Sequence, residues 1–277
     1  MENYGLIGHP LGHTMSPFIH KKLFEASGKS GEYSVMDIAP EELSSRIPEL
    51  KKLNGFNITI PHKVPIIEFT DSLDESAERY NSVNCIHSEN GRLRGYNTDC
   101  DGFLRSVDND ALGGKVLLLG CGGVGRMMAI EAVRHGGELT VAIIPEAVDM
   151  AKALAGEISE KYPDSKVKTV FTKDVSGSFD LLVNATPVGM YPKCDACAVS
   201  EEAVAGCRAV FDAVYNPGKT KLMRLAEAHG IPAAGGMSML VYQAAVAHEI
   251  WYGGSFSGEQ IDSIIRDASE ALERNFK

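Results

Sequence analysis

The sequence predicts an α/β protein built of two domains, and three observations support that prediction. Short apolar strands alternate with helical segments along most of its 277 residues. A glycine-rich turn at residues 120–125 separates an apolar strand from a helical segment. The character of the strands changes near residue 102, and the chain ends in helix. We therefore expect a first domain from residues 1–102 and 237–277, a second domain from residues 103–236, and a cleft between them.

The first domain is expected to alternate short strands with helices. One helix begins at Pro17, with Ser16 as its N-cap, and runs to about Ala26, because proline is favoured in the first helical turn. A hairpin is expected around Asn90 and Gly91, since these residue types favour tight turns. The expected strands are Tyr4–Gly8, Glu32–Ile38, Gly55–Ile60, Val83–His87 and Arg92–Gly95.

The second domain is expected to contain a parallel sheet, because its strands are continuous apolar runs of the kind that is buried on both faces. The expected strands are Val116–Leu119, Leu139–Ile144, Val167–Phe171, Leu181–Asn184 and Ala209–Ala213. Near the end of the chain, Ser257 and Gln260 form a capping box that begins a helix. Its apolar packing face is expected to consist of Ile261, Ile264, Ile265, Ala268 and Leu272.

Charge and composition argue against several classes of function. The chain has 27 basic and 37 acidic residues, a net charge of −10, whereas nucleic acids and anionic membranes require a basic surface. We find no signal peptide and no apolar run near the ~20 residues of a membrane span, so we expect a cytoplasmic protein. Cys194 and Cys197 form a CxxC without a second pair or a His-x3-His, so we interpret them as loop thiols and expect no metal site.

The glycine-rich turn carries the first functional signal. Gly120-x-Gly122-x-x-Gly125 lies between a strand and a helix, where glycines let backbone N–H groups approach a pyrophosphate at the helix N-terminus. We therefore expect a Rossmann-type, dinucleotide-binding domain. The next strand ends in residues 143–145, Ile-Ile-Pro, which supply neither an acidic residue for a ribose 2′-hydroxyl nor an arginine for a 2′-phosphate. These residues therefore do not decide whether the cofactor is NAD or NADP.

Three polar clusters in the first domain are candidates for chemistry. The segment 8–17 presents the hydroxyls of Thr14 and Ser16, the segment 57–63 contains Thr59 and Lys63, and the segment 95–99 ends in the carboxylate of Asp99. Taken singly, each has an ordinary structural explanation, because hydroxyls and carboxylates cap helices and lysines are usually exposed.

Together, the clusters resemble the motifs of the shikimate dehydrogenase family in order and spacing. Residues 8–20 are similar to the family's G-x-P-x-x-H-S-x-S-P-x-x-H, residues 57–63 to N-V-T-x-P-x-K, and residues 97–102 to N-T-D-x-x-G. Further matches are Asn184–Met190, Asp212–Pro217 with Thr220, and Gly236–Gln243. The matches run in collinear order from residue 4 to about residue 245.

This resemblance implies the NADP- or NAD-dependent interconversion of 3-dehydroshikimate and shikimate, a step of aromatic amino acid biosynthesis, with Lys63 and Asp99 as the catalytic pair. Oxidation of a secondary alcohol needs a group that takes the hydroxyl proton, and a lysine held by a carboxylate has that capacity. The implied substrate contacts are Thr14, Ser16, Thr59, Asn84, Tyr215 and Gln243. The implied cofactor contacts are Gly120, Gly122, Gly123, Val124 and Gly125 at the pyrophosphate, and Thr186, Gly236 and Met239 near the ribose and nicotinamide.

The chain departs from the family pattern at several positions. Thr14 stands where the family has Ser, Ser238 where it has Gly, and residues 143–145 where NADP-using members have Asn-Arg-Thr around the 2′-phosphate. Two other functions therefore stay open: a quinate/shikimate dehydrogenase that uses NAD, and a sensor that binds a cyclohexane carboxylate without turnover. The family includes monomers and homodimers, and the sequence does not choose between them.

Overall fold

The computed structural model describes residues 2–12 and 14–275, which form two compact units. The first unit comprises Met1–Gly102 and Val241–Glu270, and the second comprises Phe103–Leu240 and Ala271–Lys277. Residues 237–240 and 271–275, expected in the first domain, group with the second unit. Residues 276 and 277 of that expected domain, and His13 of its opening motif, lie outside the described residues.

The first unit contains a six-stranded mixed sheet in the order β2-β1-β3-β5-β6-β4. Its strands are β1 (Glu2–Gly8), β2 (Gly31–Asp37), β3 (Gly55–Ile58), β4 (Ser72–Leu73), β5 (Cys85–Glu89) and β6 (Arg92–Tyr96). β1 pairs in parallel with β2 and β3, whereas β5 is antiparallel to β3 and β6. The helices before the second unit are α1 (Ser16–Ser27), α2 (Leu43–Leu50), α3 (Glu75–Tyr80) and α4 (Thr98–Leu104), with 3₁₀ turns at Pro40–Glu42 and Pro65–Phe69.

The second unit contains a six-stranded sheet in the order β12-β11-β10-β7-β8-β9, and each of these pairings is parallel. Its strands are β7 (Lys115–Leu119), β8 (Glu138–Ile143), β9 (Val167–Phe171), β10 (Leu181–Asn184), β11 (Val210–Asp212) and β12 (Ala233–Gly235). Its helices are α5 (Asn109–Leu112), α6 (Gly123–Arg134), α7 (Val148–Lys161), α8 (Glu201–Ala205) and α9 (Lys221–Ala228), with 3₁₀ turns at Pro145–Ala147 and Thr172–Asp174. Two long helices follow, α10 (Gly236–Tyr252) and α11 (Gly258–Asn275). The expected α/β class is confirmed.

The order in which successive strands are added to the second sheet reverses at its centre. After β7 the chain builds outward through β8 and β9, and it then returns to place β10 on the other side of β7. In parallel sheets of this kind, ligands bind outside the carboxyl ends of the strands at such a switch point. The glycine turn at residues 120–125 follows β7 directly and therefore lies at this position.

One aromatic cluster anchors the end of α10 in the first unit. Trp251 is nearly buried, stacks on Tyr4 with ring centroids 4.5 Å apart, and donates its indole N–H to the carbonyl of Ile86 at 2.9 Å. Phe24 of α1 packs on Tyr4 from another side, at 5.4 Å between centroids. α1 and α10 therefore share a core with β1 and β5.

The local predictions are confirmed at one turn and wrong at two element ends. The hairpin is confirmed, since Asn90 and Gly91 form a two-residue turn with φ of 52° and 75°, the left-handed pair that a type I′ turn requires. The predicted N-cap at Ser16 is wrong: Met15 occupies that position, and Ser16 is the first helical residue. The hydroxyl of Thr14 accepts the Ser16 N–H at 3.2 Å instead. β3 stops at Ile58, two residues earlier than expected.

Two further properties concern the described residues alone. No helix among them is both long and apolar enough to cross a membrane. The capping box at the start of α11 is confirmed in both directions, because Ser257 N–H donates to Gln260 Oε1 at 2.8 Å and Gln260 N–H donates to Ser257 Oγ at 3.2 Å. The predicted apolar face is also present, with Ile261, Ile264, Ala268 and Leu272 buried and Ile265 partly so.

Ser257→Ala is expected to lower the free energy of unfolding by about 1 kcal/mol, because the Gln260 N–H loses its capping acceptor. Urea unfolding followed by circular dichroism measures the change. Ser255→Ala, two residues earlier in an exposed loop, is the matched control and should leave the midpoint unchanged. Equal midpoints for the two variants would show that the box does not stabilise α11.

Candidate active site

An ion pair between a lysine and an aspartate lies at the carboxyl end of β3. Lys63 follows β3 after a turn through Pro61, and its backbone carbonyl accepts the Val83 N–H at 2.8 Å. Its Nζ lies 2.6 Å from Asp99 Oδ2. The two side chains are 23% and 16% exposed, so a small molecule still has access to the amine. The structure thus brings together the two residues that the resemblance pairs.

Asn84 fixes the orientation of the Asp99 carboxylate. Its Nδ2 donates to Asp99 Oδ1 at 2.8 Å, so one carboxylate oxygen faces Asn84 and the other faces Lys63. Its Oδ1 accepts the backbone N–H of Thr98 at 2.7 Å, which ties the residue to the start of α4. Asp99 lies in the first turn of that helix, where a negative charge is favoured. Asn84 itself is only 2% exposed.

A second layer of polar side chains supports Asn84. Asn57 of β3 donates to the carbonyl of Asn84 at 3.4 Å, and its own Oδ1 accepts the hydroxyl of Tyr33 at 2.9 Å. Burial raises the pKa of Tyr33 well above its ordinary value, so it remains a hydrogen-bond donor. On another side of Asn84, the Thr98 hydroxyl donates to Gln243 Oε1 at 3.5 Å. Asn57 is not among the residues predicted for the site, although a polar residue in an otherwise apolar strand is a usable signal.

Two hydroxyls lie together before α1. Thr14 and Ser16 are both partly buried, and their Oγ atoms are 3.2 Å apart. Thr59, directly after β3, is partly exposed, and its N–H donates to the carbonyl of Ile7. The first unit thus contributes Thr14, Ser16, Thr59, Asn84 and Gln243 of the expected substrate contacts. Tyr215 belongs to the second unit, where burial raises its pKa.

The glycine turn in the second unit has the geometry of a nucleotide site. Gly120 has φ of 87°, which favours glycine, and a Cβ there would lie 2.7 Å from the Thr186 side chain. A Cβ at Gly125 would lie 2.5 Å from the Gly120 carbonyl, so this glycine permits close packing of α6 on the turn. Gly122 and Gly123, in contrast, are exposed, and a Cβ on either would meet nothing within 4 Å.

These residues fit a dinucleotide pyrophosphate. The space over Gly122 and Gly123 is open, and the first N–H groups of α6 have no partner within the helix. The first turn of α6 contains no acidic residue that would repel an anion. Val124, also in that turn, is partly exposed.

A buried carboxylate organises the loops after β10 and β11. Asp212 is fully buried; its Oδ1 accepts Asn184 Nδ2 at 2.9 Å and the Val214 N–H at 3.0 Å, and its Oδ2 accepts the Thr220 hydroxyl at 2.6 Å. Asn184 Oδ1 in turn accepts the Thr186 hydroxyl at 2.6 Å. Burial raises the pKa of Asp212, and its three donors oppose that shift. Asp212 and Asn184 thereby hold Thr186, and sequence reasoning gave them no such role.

The remaining expected cofactor residues lie at the start of α10. Gly236 begins that helix, and its N–H donates to the carbonyl of Val214 at 3.2 Å, next to the Asp212 loop. Met239 is nearly buried, and the Ser238 hydroxyl donates to the Gly235 carbonyl at 2.8 Å. The Ser238 hydroxyl is therefore occupied by the backbone.

The carboxyl end of β8 is apolar and exposed. Ile144 follows the strand and is 54% exposed, and residues 143–148 contain no basic side chain. Arg126 of α6 makes a two-pronged ion pair with Glu157, at 2.6 and 2.5 Å, whereas Lys152 of α7 is exposed and lies 3.9 Å from the exposed Asp149. The described residues contain no group of three side chains that could bind a metal ion.

Asp212→Ala is expected to lower the free energy of unfolding by about 2–5 kcal/mol, because three buried donors lose their acceptor at about 1–3 kcal/mol each before relaxation. Chemical denaturation measures the loss. Asp195→Ala, which removes a fully exposed carboxylate 3.5 Å from Arg224, is the matched control and should change little. Equal stability of the two variants would contradict the role of Asp212.

Comparison with known proteins places this arrangement in a family. Residues 6–86 match the model of the shikimate dehydrogenase substrate binding domain. The shikimate dehydrogenase (NADP(+)) of Caldanaerobacter subterraneus subsp. tengcongensis is 39% identical over 272 residues, which cover 95% of this chain and 96% of the relative.

Solved structures agree with that match along almost the whole chain. The crystal structure of shikimate 5-dehydrogenase from Thermus thermophilus in complex with NADP(H) and shikimate has a TM-score of 0.83 and 31% identity, covering 97% of this chain and 100% of that one. The Listeria monocytogenes shikimate 5-dehydrogenase in complex with shikimate and NAD has a TM-score of 0.85 and 27% identity, covering 95% and 96%. This chain therefore belongs to the shikimate dehydrogenase family.

Proposed function

We propose that this protein is a shikimate dehydrogenase that interconverts shikimate and 3-dehydroshikimate with a nicotinamide cofactor. The observation that carries the proposal is the partly accessible ion pair of Lys63 and Asp99, 2.6 Å apart and oriented by Asn84. The relatives support the same reaction: one is named for it, and another binds NADP(H) and shikimate in its crystal.

The chemistry assigns a proton to Lys63. When shikimate is oxidised, its alcohol carbon loses a hydride and its hydroxyl loses a proton; the bound nicotinamide supplies the hydride acceptor. Lys63 Nζ takes the hydroxyl proton in its neutral form and returns it to the carbonyl oxygen in the reverse direction. Asp99 holds the amine in place, while Asn84 prevents the carboxylate from turning away.

The substrate contacts divide by chemistry. Thr14 and Ser16 supply adjacent hydroxyl donors for the carboxylate, and Thr59, Asn84, Tyr215 and Gln243 are assigned to the ring hydroxyls or the carboxylate. Residues 1–102 with 237–277 then serve as the substrate domain and residues 103–236 as the dinucleotide domain. Hydroxyl recognition suits a protein whose net charge of −10 offers an anion no long-range attraction.

The glycine turn is assigned to the cofactor, with Gly120, Gly122, Gly123, Val124 and Gly125 at the pyrophosphate. Thr186, Gly236 and Met239 are assigned to the ribose and nicotinamide. For the choice between cofactors, we propose weak discrimination between NADP and NAD. Ile144 stands where a cation would meet the 2′-phosphate, and the guanidinium of Arg126 is paired with Glu157.

The competing function is not enzymatic: a sensor that binds a cyclohexane carboxylate without turnover. It gains nothing from the Lys63–Asp99 pair, because binding alone needs no proton transfer. A dehydrogenase that also oxidises quinate differs from the proposal only in its substrate range. Quinate carries an additional hydroxyl on the ring, so its rejection or acceptance is a property of the substrate pocket.

Purified protein with shikimate and either NADP or NAD is expected to form reduced nicotinamide, followed by its absorbance. If no reduced nicotinamide forms with either cofactor but calorimetry shows that shikimate binds, the protein is a sensor and not a dehydrogenase. The same assay with quinate decides the substrate range, and a kcat/KM for quinate equal to that for shikimate would replace the proposal with the broader enzyme.

Lys63→Ala is expected to lower kcat by about 10²–10⁴-fold, the usual contribution of a general acid–base group, with a small effect on the Kd of shikimate. Steady-state kinetics and calorimetry measure the two quantities. Lys52→Ala, which removes an exposed lysine shortly before β3, is the matched control and should retain full activity. Near-normal turnover by Lys63→Ala would remove Lys63 from the mechanism.

The ratio of kcat/KM for NADP to that for NAD is expected to lie within about tenfold in the natural chain, since residues 143–148, at the carboxyl end of β8, contain no basic side chain. Ile144→Arg should raise kcat/KM for NADP by about tenfold to hundredfold, because hydrogen bonds to charged groups contribute about 1.5–3 kcal/mol. NAD kinetics should change little. Ser176→Arg, an exposed site beyond the amino end of β10, controls for added charge. A natural preference for NADP above a hundredfold would contradict the assignment.

A further inference from the structure

Two buried histidines join α1 to α10 in the first unit. His20 and His248 are both fully buried, and His20 Nδ1 lies 2.8 Å from His248 Nε2. His248 Nδ1 is hydrogen-bonded to the hydroxyl of Tyr252, which donates to Ser27 Oγ at 3.1 Å. The residues of this pair are 228 positions apart in the sequence, so the contact is a long-range one.

The hydrogen bonds of Ser27 and Tyr252 determine which nitrogen carries the proton in each histidine ring. The Ser27 hydroxyl donates to the carbonyl of Phe24 at 3.1 Å, and a carbonyl only accepts. Ser27 Oγ therefore accepts the proton of the Tyr252 hydroxyl, so His248 Nδ1 must donate to the Tyr252 oxygen. His248 Nε2 is then an acceptor, and His20 Nδ1 carries the proton between the rings. His20 Nε2 is left without a proton, and it has no hydrogen-bond partner among the described residues.

The surroundings keep the pair neutral. Burial lowers the pKa of His20 well below its ordinary value and that of His248 to about 3. His20 stacks on Tyr33 with centroids 3.9 Å apart, and His248 is surrounded by the rings of Phe24, Trp251 and Phe256. The other ionisable groups around the cluster are Tyr4, Tyr252, Cys85, Glu2 and Lys29: Glu2 accepts the Tyr4 hydroxyl at 2.8 Å, and Lys29 lies over the Tyr252 ring at 5.6 Å.

Both helices of the pair carry residues assigned to the substrate. Ser16 precedes His20 by four positions and so lies one turn away on the same side of α1. Gln243 precedes His248 on α10. Tyr33, whose ring stacks on His20, donates its hydroxyl to Asn57 Oδ1, and Asn57 supports the Asn84 that orients Asp99. The histidine pair is therefore joined to Asp99 through Tyr33, Asn57 and Asn84 in turn, and it shares α1 with Ser16 and α10 with Gln243.

We propose that His20 and His248 are positioning residues of the substrate site, fixed as neutral Nδ1–H tautomers, whose shared proton holds α1 against α10 so that Ser16 and Gln243 meet shikimate together. They touch neither substrate nor cofactor. The inference rests on the proposed function for its substrate, and on the geometry alone for its tautomers.

Variants of His20 separate positioning from packing. His20→Phe keeps a ring on Tyr33 but loses the donor, whereas His20→Asn keeps an N–H donor near the position of Nδ1. His20→Phe should raise the KM for shikimate about tenfold while kcat and the cofactor KM stay within about twofold, because a loss of uniform binding raises KM alone. His20→Asn should restore the KM to within about threefold of the natural value. Ile47→Val, a buried core change on α2, is the control for lost stability and should leave every KM unchanged.

Three outcomes would overturn the proposal: an unchanged KM for shikimate in His20→Phe, an equal rise in the cofactor KM, or no recovery in His20→Asn. If His20→Phe fails to fold, the comparison of His248→Gln, which keeps an acceptor near Nε2, with His248→Phe tests the same hydrogen bond from the other side.

Nitrogen-15 NMR of the natural chain tests the tautomers without any turnover. Both rings should show Nδ1–H and an unprotonated Nε2 at neutral pH, and they should remain so at mildly acidic pH; signals are assigned by their loss in His20→Asn and His248→Gln. An Nε2–H tautomer or an imidazolium at either ring contradicts the proposal. If the natural chain does not oxidise shikimate, the proposed function fails, and the NMR result still decides the histidine geometry.

Discussion

The hydrogen bond from Asn84 to Asp99 is the constraint on which the candidate active site depends. An aspartate that faced Lys63 alone could turn about its last torsion, since a partly exposed ion pair by itself has little orientational preference. Asn84 removes that freedom by occupying Oδ1 and, through its own Oδ1, fixing the start of α4. Asn84 is itself held by the strands that it adjoins, as Ile58 N–H and Asn57 Nδ2 both donate to its carbonyl. The direction of the Lys63 amine is therefore set by the backbone of the first sheet.

The second unit uses a buried carboxylate in a different way. Asp212 has no cationic partner among the contacts described, and three neutral donors satisfy it instead. A charge buried without a counter-ion costs free energy, which is consistent with the raised pKa of Asp212, but the donors come from three separate segments and hold them in one arrangement. Thr186 is positioned through Asn184 at the end of this chain of contacts. Both units thus place polar side chains at the carboxyl ends of parallel strands, where a parallel sheet leaves room for a ligand.

The sequence predicted those features that are local and missed those that depend on distant contacts. The strands β9 and β10 were predicted to the residue because apolar runs end at polar ones, and the glycine turn was recognised from its strand and helix context. The N-cap of α1 was placed one residue late, because Ser16 is a good cap by residue type and the turn through Thr14 shifts the helix start. β12 was missed, since its three residues, Ala-Ala-Gly, have no apolar pattern and pair only because β11 is beside them. The same limit applies to His20 and His248, whose partnership is a property of the packed helices.

Recognition of an anion by an acidic protein requires short-range donors, and the structure shows why Lys63 is a poor candidate for that role. Its charge is already balanced by Asp99 at 2.6 Å, so the pair presents a nearly neutral surface to a second carboxylate. The start of α1 is better suited, because its first turn contains no acidic residue and the helix dipole is positive there. Thr14 and Ser16 add two hydroxyls at that point, 3.2 Å apart, the spacing at which both can reach one carboxylate. Under the proposed function, this separation of the two tasks leaves anion binding to the hydroxyls at the start of α1 and proton transfer to Lys63.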